Sequence, residues 1–250
     1  MKVQLKDIRQ SYPTSDGRRS VLQDIQLSVR EGEFVSLIGP SGCGKSTLFN
    51  ILSGLETPDH GSVIKDDRVI TGETGHVGYM MQQDCLFPWR TVLGNAVVAA
   101  EAAGKGRKEA LERAKELLPI FGLEDFADEY PTRLSGGMRQ RVALLRTVVS
   151  ERDVWLLDEP MGALDAITRE QMQDWLLAIW SRFRQTILFI THSIDEALYL
   201  SDRVILLTSR PASIQGEMTV DLPRPRSRSL VTQPQFLRLK EEIWSQLHHV

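Results

Sequence analysis

The sequence predicts an α/β fold in which a mainly parallel sheet is covered by helices on both faces, with an antiparallel edge and a helical sub-lobe. Three observations carry this. Phe34 to Ile38, Val154 to Leu157, Ile187 to Ile190 and Val204 to Leu207 are near-continuous apolar runs of strand length, as expected of strands buried on both faces. Val3, Leu5 and Ile8, then Ile25, Leu27 and Val29, alternate with polar residues around Asp16-Gly17, which reads as half-buried strands joined by a turn. Between the first two buried strands lies a long insertion, roughly Leu86 to Ser150, with helical patterning punctuated by Pro88, Pro119 and Pro131.

Within and beyond that insertion, single apolar stripes recur at helical spacing: Leu111, Ala114, Lys115 and Leu118, then Met172, Trp175, Leu176 and Ile179. Both read as core. From Pro211 onward, turn residues precede a closing helix, Pro234 to Leu247, marked by Phe236, Leu239, Ile243 and Leu247. The basic cluster Arg224-Pro225-Arg226-Ser227-Arg228 reads as a solvated linker.

A chain of 250 residues can bury a sizeable core, and it is long for one compact unit but short for two, which suggests one domain with a sub-lobe. A formal charge of −3, from 30 basic and 33 acidic residues, provides no field for a polyanion, so no nucleic-acid partner is expected. Cys43 and Cys85 have no CxxC or histidine spacing around them, which points away from disulfide and zinc chemistry and toward a reducing cytosol. No apolar stretch approaches the roughly 20 residues a bilayer crossing needs, and MKVQLKDIRQ alternates rather than reading as a signal peptide. Work at a membrane would then require docking through partners.

The stretch Gly39-Pro40-Ser41-Gly42-Cys43-Gly44-Lys45-Ser46-Thr47 fits G-x-x-x-x-G-K-[ST] between a buried strand and a helix, the context this motif requires. Glycines let successive amides converge on one point, and the helix adds its unpaired first-turn N–H groups and positive dipole end. Lys45 supplies a mobile cation for outer phosphates, and the Ser46 hydroxyl is a hard ligand suited to Mg²⁺. This is the signature of a P-loop NTPase.

After the strand Val154 to Leu157 come Asp158 and Glu159, whose side chains alternate to opposite faces. Asp158 can anchor the Mg²⁺ shell, and Glu159 can polarise the water that attacks the γ-phosphate. His192 ends the strand Ile187 to Thr191, where an imidazole could bond the γ-phosphate; taken alone, a histidine there reads as structural. His60, His76, His248 and His249 receive only the structural reading.

Leu134-Ser135-Gly136-Gly137-Met138-Arg139-Gln140-Arg141 opens a helix with a serine and two glycines before the apolar run Val142 to Leu145, which makes a second anion site. The phosphate loop, LSGGMRQR, LLDEP and a downstream Thr-His, in that order along nearly the whole chain, closely resemble the ATPase subunit of an ABC transporter. The resemblance implies a RecA-like core with the antiparallel β edge (residues 1–85 and 151–210), a helical ABC-specific subdomain (86–150) and a C-terminal tail and helix (211–250), all in one ATPase domain. It implies ATP and Mg²⁺ as cofactors. It also implies a head-to-tail pairing of two copies in which ATP on one phosphate loop is closed over by Ser135, Gly136 and Gly137 of the other, neither copy hydrolysing alone.

By the same resemblance Gln82 is the glutamine that reaches Mg²⁺ and the attacking water, with Gln83 an open neighbour; Asp165 of Ala163-Leu164-Asp165 communicates across the dimer; and Tyr12 stacks on adenine. The stretches LFPWRTVLGN, MGALDAITR and THSIDEAL are similar to those of nitrate, sulfonate and taurine importer ATPases. Two departures stand out: Met138 in place of the general signature glutamine, and Asp66-Asp67-Arg68 where a glycine turn is usual. The implied partners are membrane permease subunits and, through them, a solute-binding protein, at the cytoplasmic face of the membrane. The loop around Gln82, Pro88 and Trp89 would pass motion to the permease, although Trp89 reads equally as core. The solute, whether nitrate, an alkylsulfonate, taurine or a pyrimidine precursor of thiamine, is not written in an ATPase subunit. A soluble mechanoenzyme usually carries two cassettes or a long coiled coil, which this chain lacks, and Glu159 and His192 speak against a module that only binds ATP.

Overall fold

The computed structural model describes residues 1–248, so His249 lies outside the described residues. The chain runs through β1 (Val3–Thr14), β2 (Gly17–Val29), β3 (Phe34–Ile38), α1 (Lys45–Leu52), β4 (His60–Lys65), β5 (Arg68–Val69) and β6 (Gly78–Met80). Next come α2 (Val92–Ala96), α3 (Val98–Ala102), α4 (Arg107–Phe121), α5 (Gly136–Val149), β7 (Val154–Asp158) and α6 (Ala166–Phe183). It closes with β8 (Thr186–Ile190), α7 (Ile194–Leu200), β9 (Arg203–Leu207), β10 (Ile214–Thr219) and α8 (Pro234–His248). Among the described residues two compact units emerge, one of residues 1–76 with 173–248 and one of 77–172.

The first unit holds two layers of strands. β1 and β2 form an antiparallel hairpin in which Leu5 faces Leu27 and Ile8 faces Ile25, so the alternating apolar residues of both strands share one buried side. β4 extends this sheet on β1, and β5 on β4. Asp66 and Asp67, between β4 and β5, take φ of 48° and 61°. Two successive left-handed residues make the tight turn that twists with its strands, and aspartate tolerates that conformation better than most residues. The departure from glycine there is therefore absorbed locally. The second sheet of this unit places β3 between β8 and β9, parallel to both, with β10 antiparallel on the far side of β9. All five residues of β3 and of β8 are buried, which is why their runs are apolar apart from Ser36 and Thr186.

The tail departs from its sequence reading. Arg224, Arg226 and Arg228 are not a solvated linker. The Arg226 Nη1 donates to the carbonyls of Leu198 (2.8 Å) and Tyr199 (2.9 Å), and the Arg224 Nη2 to Leu200 O at 2.7 Å. These are end carbonyls of α7, which have no partner inside the helix, so the two guanidinium groups cap it. Arg224 also lies 4.2 Å from the Trp180 ring centroid and Arg228 4.3 Å from that of Tyr199. Planar, always-charged side chains with apolar stems can be buried where composition alone suggests solvent.

In the second unit β6 and β7 pair in parallel, and α2, α3 and α4 pack on α5. The buried stripe of α4 is Ala110, Ala114, Leu117, Leu118 and Phe121, while Lys115 points outward and Leu111 is only half-buried. Pro119 lies inside α4 and does not end it. Gly122 does, at φ 60° and ψ 44°, with its N–H on Pro119 O and the N–H of Leu123 on Leu118 O. That closing pair of bonds requires a left-handed residue, which glycine adopts freely. Among the described residues no helix is long and apolar enough to cross a membrane, and Cys43 and Cys85 are free thiols.

Candidate nucleotide site

In the first unit the phosphate loop turns from β3 into α1. Gly44, at φ 127°, stands at the N-cap of α1, where no side chain caps the helix. A Cβ at this position would lie 2.9 Å from both Leu22 Cδ2 and Val21 Cγ1, so neither the conformation nor the space admits another residue. The first-turn amides of α1 are thereby left for an outside acceptor. Lys45 is buried, and its ammonium is held by the loop carbonyls of Gly39 (2.8 Å) and Pro40 (3.1 Å). The cation is thus fixed on the same loop as those amides. Ser46 follows in the first turn of α1 with its side chain exposed.

Tyr12, on β1, is half-exposed beside the same loop. Its phenol lies near Glu56 and Thr47, and partial burial, then the Glu56 carboxylate, push its pKa above the ordinary tyrosine value. The ring supplies a flat apolar surface. His192 lies past the end of β8 and shares a cavity of about 550 Å³ with Gly39, Pro40 and Ser41. The same cavity is walled by Lys240 and Trp244 of α8, which the sequence reading did not associate with the site.

In the second unit Asp158 ends β7 with its side chain buried, 3% exposed, and the Tyr79 hydroxyl approaches its Oδ2 at 3.4 Å. Burial, and then the Asp158 charge, push the Tyr79 pKa well above its ordinary value, so this phenol stays a proton donor. Tyr79 was missed in the sequence. It lies on the three-residue β6, opposite Leu156, and a strand so short leaves almost no alternation to read. Glu159, the next residue, takes φ 44°. This left-handed conformation is costly for a residue with a Cβ.

Gln82 donates its Nε2 to Glu159 Oε2 at 3.2 Å. Of the two neighbouring glutamines it is therefore Gln82 that lies at the carboxylate. The segment that follows is tied to α5: Asp84 receives the Arg139 Nε at 3.1 Å, and Arg146 donates to the carbonyls of Asp84 and Cys85, both at 2.7 Å. Ser135 caps α5 by accepting from the Met138 N–H at 3.3 Å, with Gly136 and Gly137 opening the first turn. A Cβ on Gly137 would come within 3.1 Å of Thr168 Cγ2. Asp165 caps α6 by accepting from the Thr168 N–H at 3.0 Å, and bonding from Thr168 holds its carboxyl below the usual range. Trp89 is not core: it is 71% exposed and stacks on Phe87 with ring centroids 5.3 Å apart.

Comparison with known proteins agrees with this chemistry. The family model described as ABC transporter matches residues 22–162. The bicarbonate transport ATP-binding protein CmpD of Synechocystis is 43% identical over 240 residues, covering 94% of this chain and 85% of that protein. The taurine import ATP-binding protein TauB of Pseudomonas aeruginosa is 41% identical, over 93% of this chain and 90% of its own length. Two dimeric structures of a bacterial ABC transporter cassette, one in a post-hydrolysis state bound to ADP and Pi, are 32% identical with TM-scores of 0.76 and 0.75, covering 88% of this chain and 100% of each. A match over more than half of the chain, with relatives above 40% identity along nearly all of it, makes this protein a member of the ABC transporter family and its ATP-binding, ATP-hydrolysing subunit.

Proposed function

We propose that this chain powers a bacterial importer of a small solute of the nitrate, sulfonate or taurine kind, or a pyrimidine precursor of thiamine, from the cytoplasmic face of the membrane. The observation that carries the energy-coupling part is the phosphate loop, where buried Lys45 and the uncapped first turn of α1 meet, with His192 on the same cavity. Relatives named for bicarbonate and taurine support a small, mostly anionic cargo. The chain works as one ATPase domain with a nucleotide-binding core, a helical part carrying Ser135 to Gly137, and a C-terminal tail.

Two copies pair head to tail, ATP lying on the phosphate loop of one and under Ser135, Gly136 and Gly137 of the other, with Asp165 communicating across the pair and Tyr12 against adenine. Glu159 accepts a proton from the attacking water while Gln82 orients it; the bond from the γ-phosphorus to the bridging oxygen breaks, giving ADP and phosphate. His192 bonds the γ-phosphate. Mg²⁺ fits the donors present: Ser46 offers a hydroxyl, Asp158 a buried carboxylate and Gln82 an amide oxygen, all hard ligands, and when bound the ion offsets charge on the phosphates. Closure is differential binding, since a ligand shared by both halves favours the state in which both touch it. Exposed Trp89, stacked on half-buried Phe87, is the surface offered to permease subunits, which in turn meet a solute-binding protein.

The test mixes two inactive variants, Lys45→Ala and Ser135→Arg. In a head-to-tail pair, one site of the mixed dimer inherits both defects and the other inherits none, so phosphate release should reappear on mixing. If the mixture is as silent as its components, the shared-site reading is wrong.

A further inference from the structure

The turn that carries His192 is gripped from the C-terminal segment by two routes. The first is a hydrogen-bonded path with a buried middle. Arg228 donates its Nη1 to Gln173 Oε1 at 2.8 Å, and Gln173 donates its Nε2 to Glu196 Oε1 at 3.2 Å. The other oxygen of Glu196 accepts from the Thr191 hydroxyl at 2.6 Å, and that hydroxyl accepts the Ser193 N–H at 3.0 Å. Thr191 and Ser193 flank His192 directly. Gln173, Thr191 and Glu196 are all buried, so the two middle bonds, Gln173 to Glu196 and Thr191 to Glu196, are shielded from water and costly to break, while the bonds at either end are part-buried. Arg228 is itself fixed by Asp174 at 3.0 Å and by stacking on Tyr199, whose hydroxyl donates to Asp174 at 2.6 Å.

The second route runs through α8. Lys240 reaches Asp195, in the first turn of α7, at 2.8 Å to each carboxylate oxygen. Lys240 and Trp244 also wall the cavity shared by His192 and Gly39 to Ser41, so α8 lies directly beside both. At the other end of α7, Arg224 and Arg226 hold its terminal carbonyls. A seven-residue helix is only about two turns, too short to be stable by itself, so its direction depends on what it packs against.

We infer that Arg228 and Lys240 are positioning residues for His192: the C-terminal segment sets the imidazole through Gln173, Glu196 and Asp195. The segment thus gives hydrolysis a dependence on residues lying beyond the family-matched stretch, which ends at Gly162. This rests on the reading of His192 as the γ-phosphate contact, and the two can be tested apart.

The experiment uses the full chain with ¹⁵N-labelled histidine and compares wild type with Arg228→Gln, Gln173→Leu and Lys240→Gln. The His192 ring resonances should move in each variant while those of His60 and His76 stay in place. In parallel, kcat for ATP should fall by about 3-fold to 30-fold, the range expected when a reacting group is displaced by a fraction of an ångström. The KM for ATP should stay within about 2-fold, because the loss is confined to the transition state. Arg228→Lys, which keeps a donor and a charge, should recover part of the rate. A His192 resonance that stays put in all three variants overturns the inference, as does a full kcat when it has moved, or a loss of rate matched by a rise in KM. A wild-type chain without hydrolysis would refute the functional reading alone, and the resonances would still decide whether the segment sets His192.

Discussion

Gln82 and Glu159, 77 residues apart in sequence, are joined by a 3.2 Å hydrogen bond from amide to carboxylate. Glu159 holds that place in a left-handed conformation at φ 44°. A side chain kept in a costly backbone geometry and met by a polar partner suits a chemical task. Glu159→Gln should retain ATP but lower turnover by about 10²-fold or more, the usual worth of a positioned base. Equilibrium binding of a fluorescent ATP analogue beside a phosphate-release assay would read both; wild-type turnover in the variant would remove Glu159 as the base.

Gly44→Ala is expected to damage the phosphate loop rather than the domain. The new methyl group meets Leu22 and Val21 at 2.9 Å, and φ 127° is closed to alanine. We expect a loss of about 2 kcal/mol in stability and a larger loss in ATP affinity, since the loop must move to relieve the clash. Urea unfolding with and without ATP would show it: the nucleotide should no longer raise the midpoint.

Arg226→Met removes the Nη1 that donates to both the Leu198 and Tyr199 carbonyls of α7 while keeping the apolar stem. The expected cost is about 2 kcal/mol, set by two buried acceptors losing their partner. Were the residue part of a solvated linker, the denaturation midpoint would not move.

Glu101 on α3 takes a 2.7 Å hydrogen bond from Arg90, with Arg107 also paired to it, and these hold its carboxyl below the ordinary glutamate range. Because the folded state binds its proton less readily than the unfolded one, this contribution is present above the unfolded value of about 4.3 and is lost as pH falls through the lower folded value. Glu101→Gln should therefore cost only about 0.5 kcal/mol at neutral pH, because water screens the pairing, and nothing at the acid end, which a pH series of thermal melts would trace.

What the sequence by itself determined is the chemistry that lives in contiguous stretches. The apolar runs of β3, β7, β8 and β9 declare two-sided burial, the loop from Gly39 to Thr47 declares its strand, turn and helix, and Asp158-Glu159 declares a strand end. Each is legible because backbone period and local sterics act over a few residues. Only the tertiary structure decided which of Gln82 and Gln83 meets Glu159, that Trp89 faces solvent, that Tyr79 attends Asp158, and that Arg224 and Arg226 cap α7 rather than float. Those outcomes depend on pairs brought together across long stretches of chain. For a polar side chain, no local pattern states whether its partner will be water or a distant carbonyl.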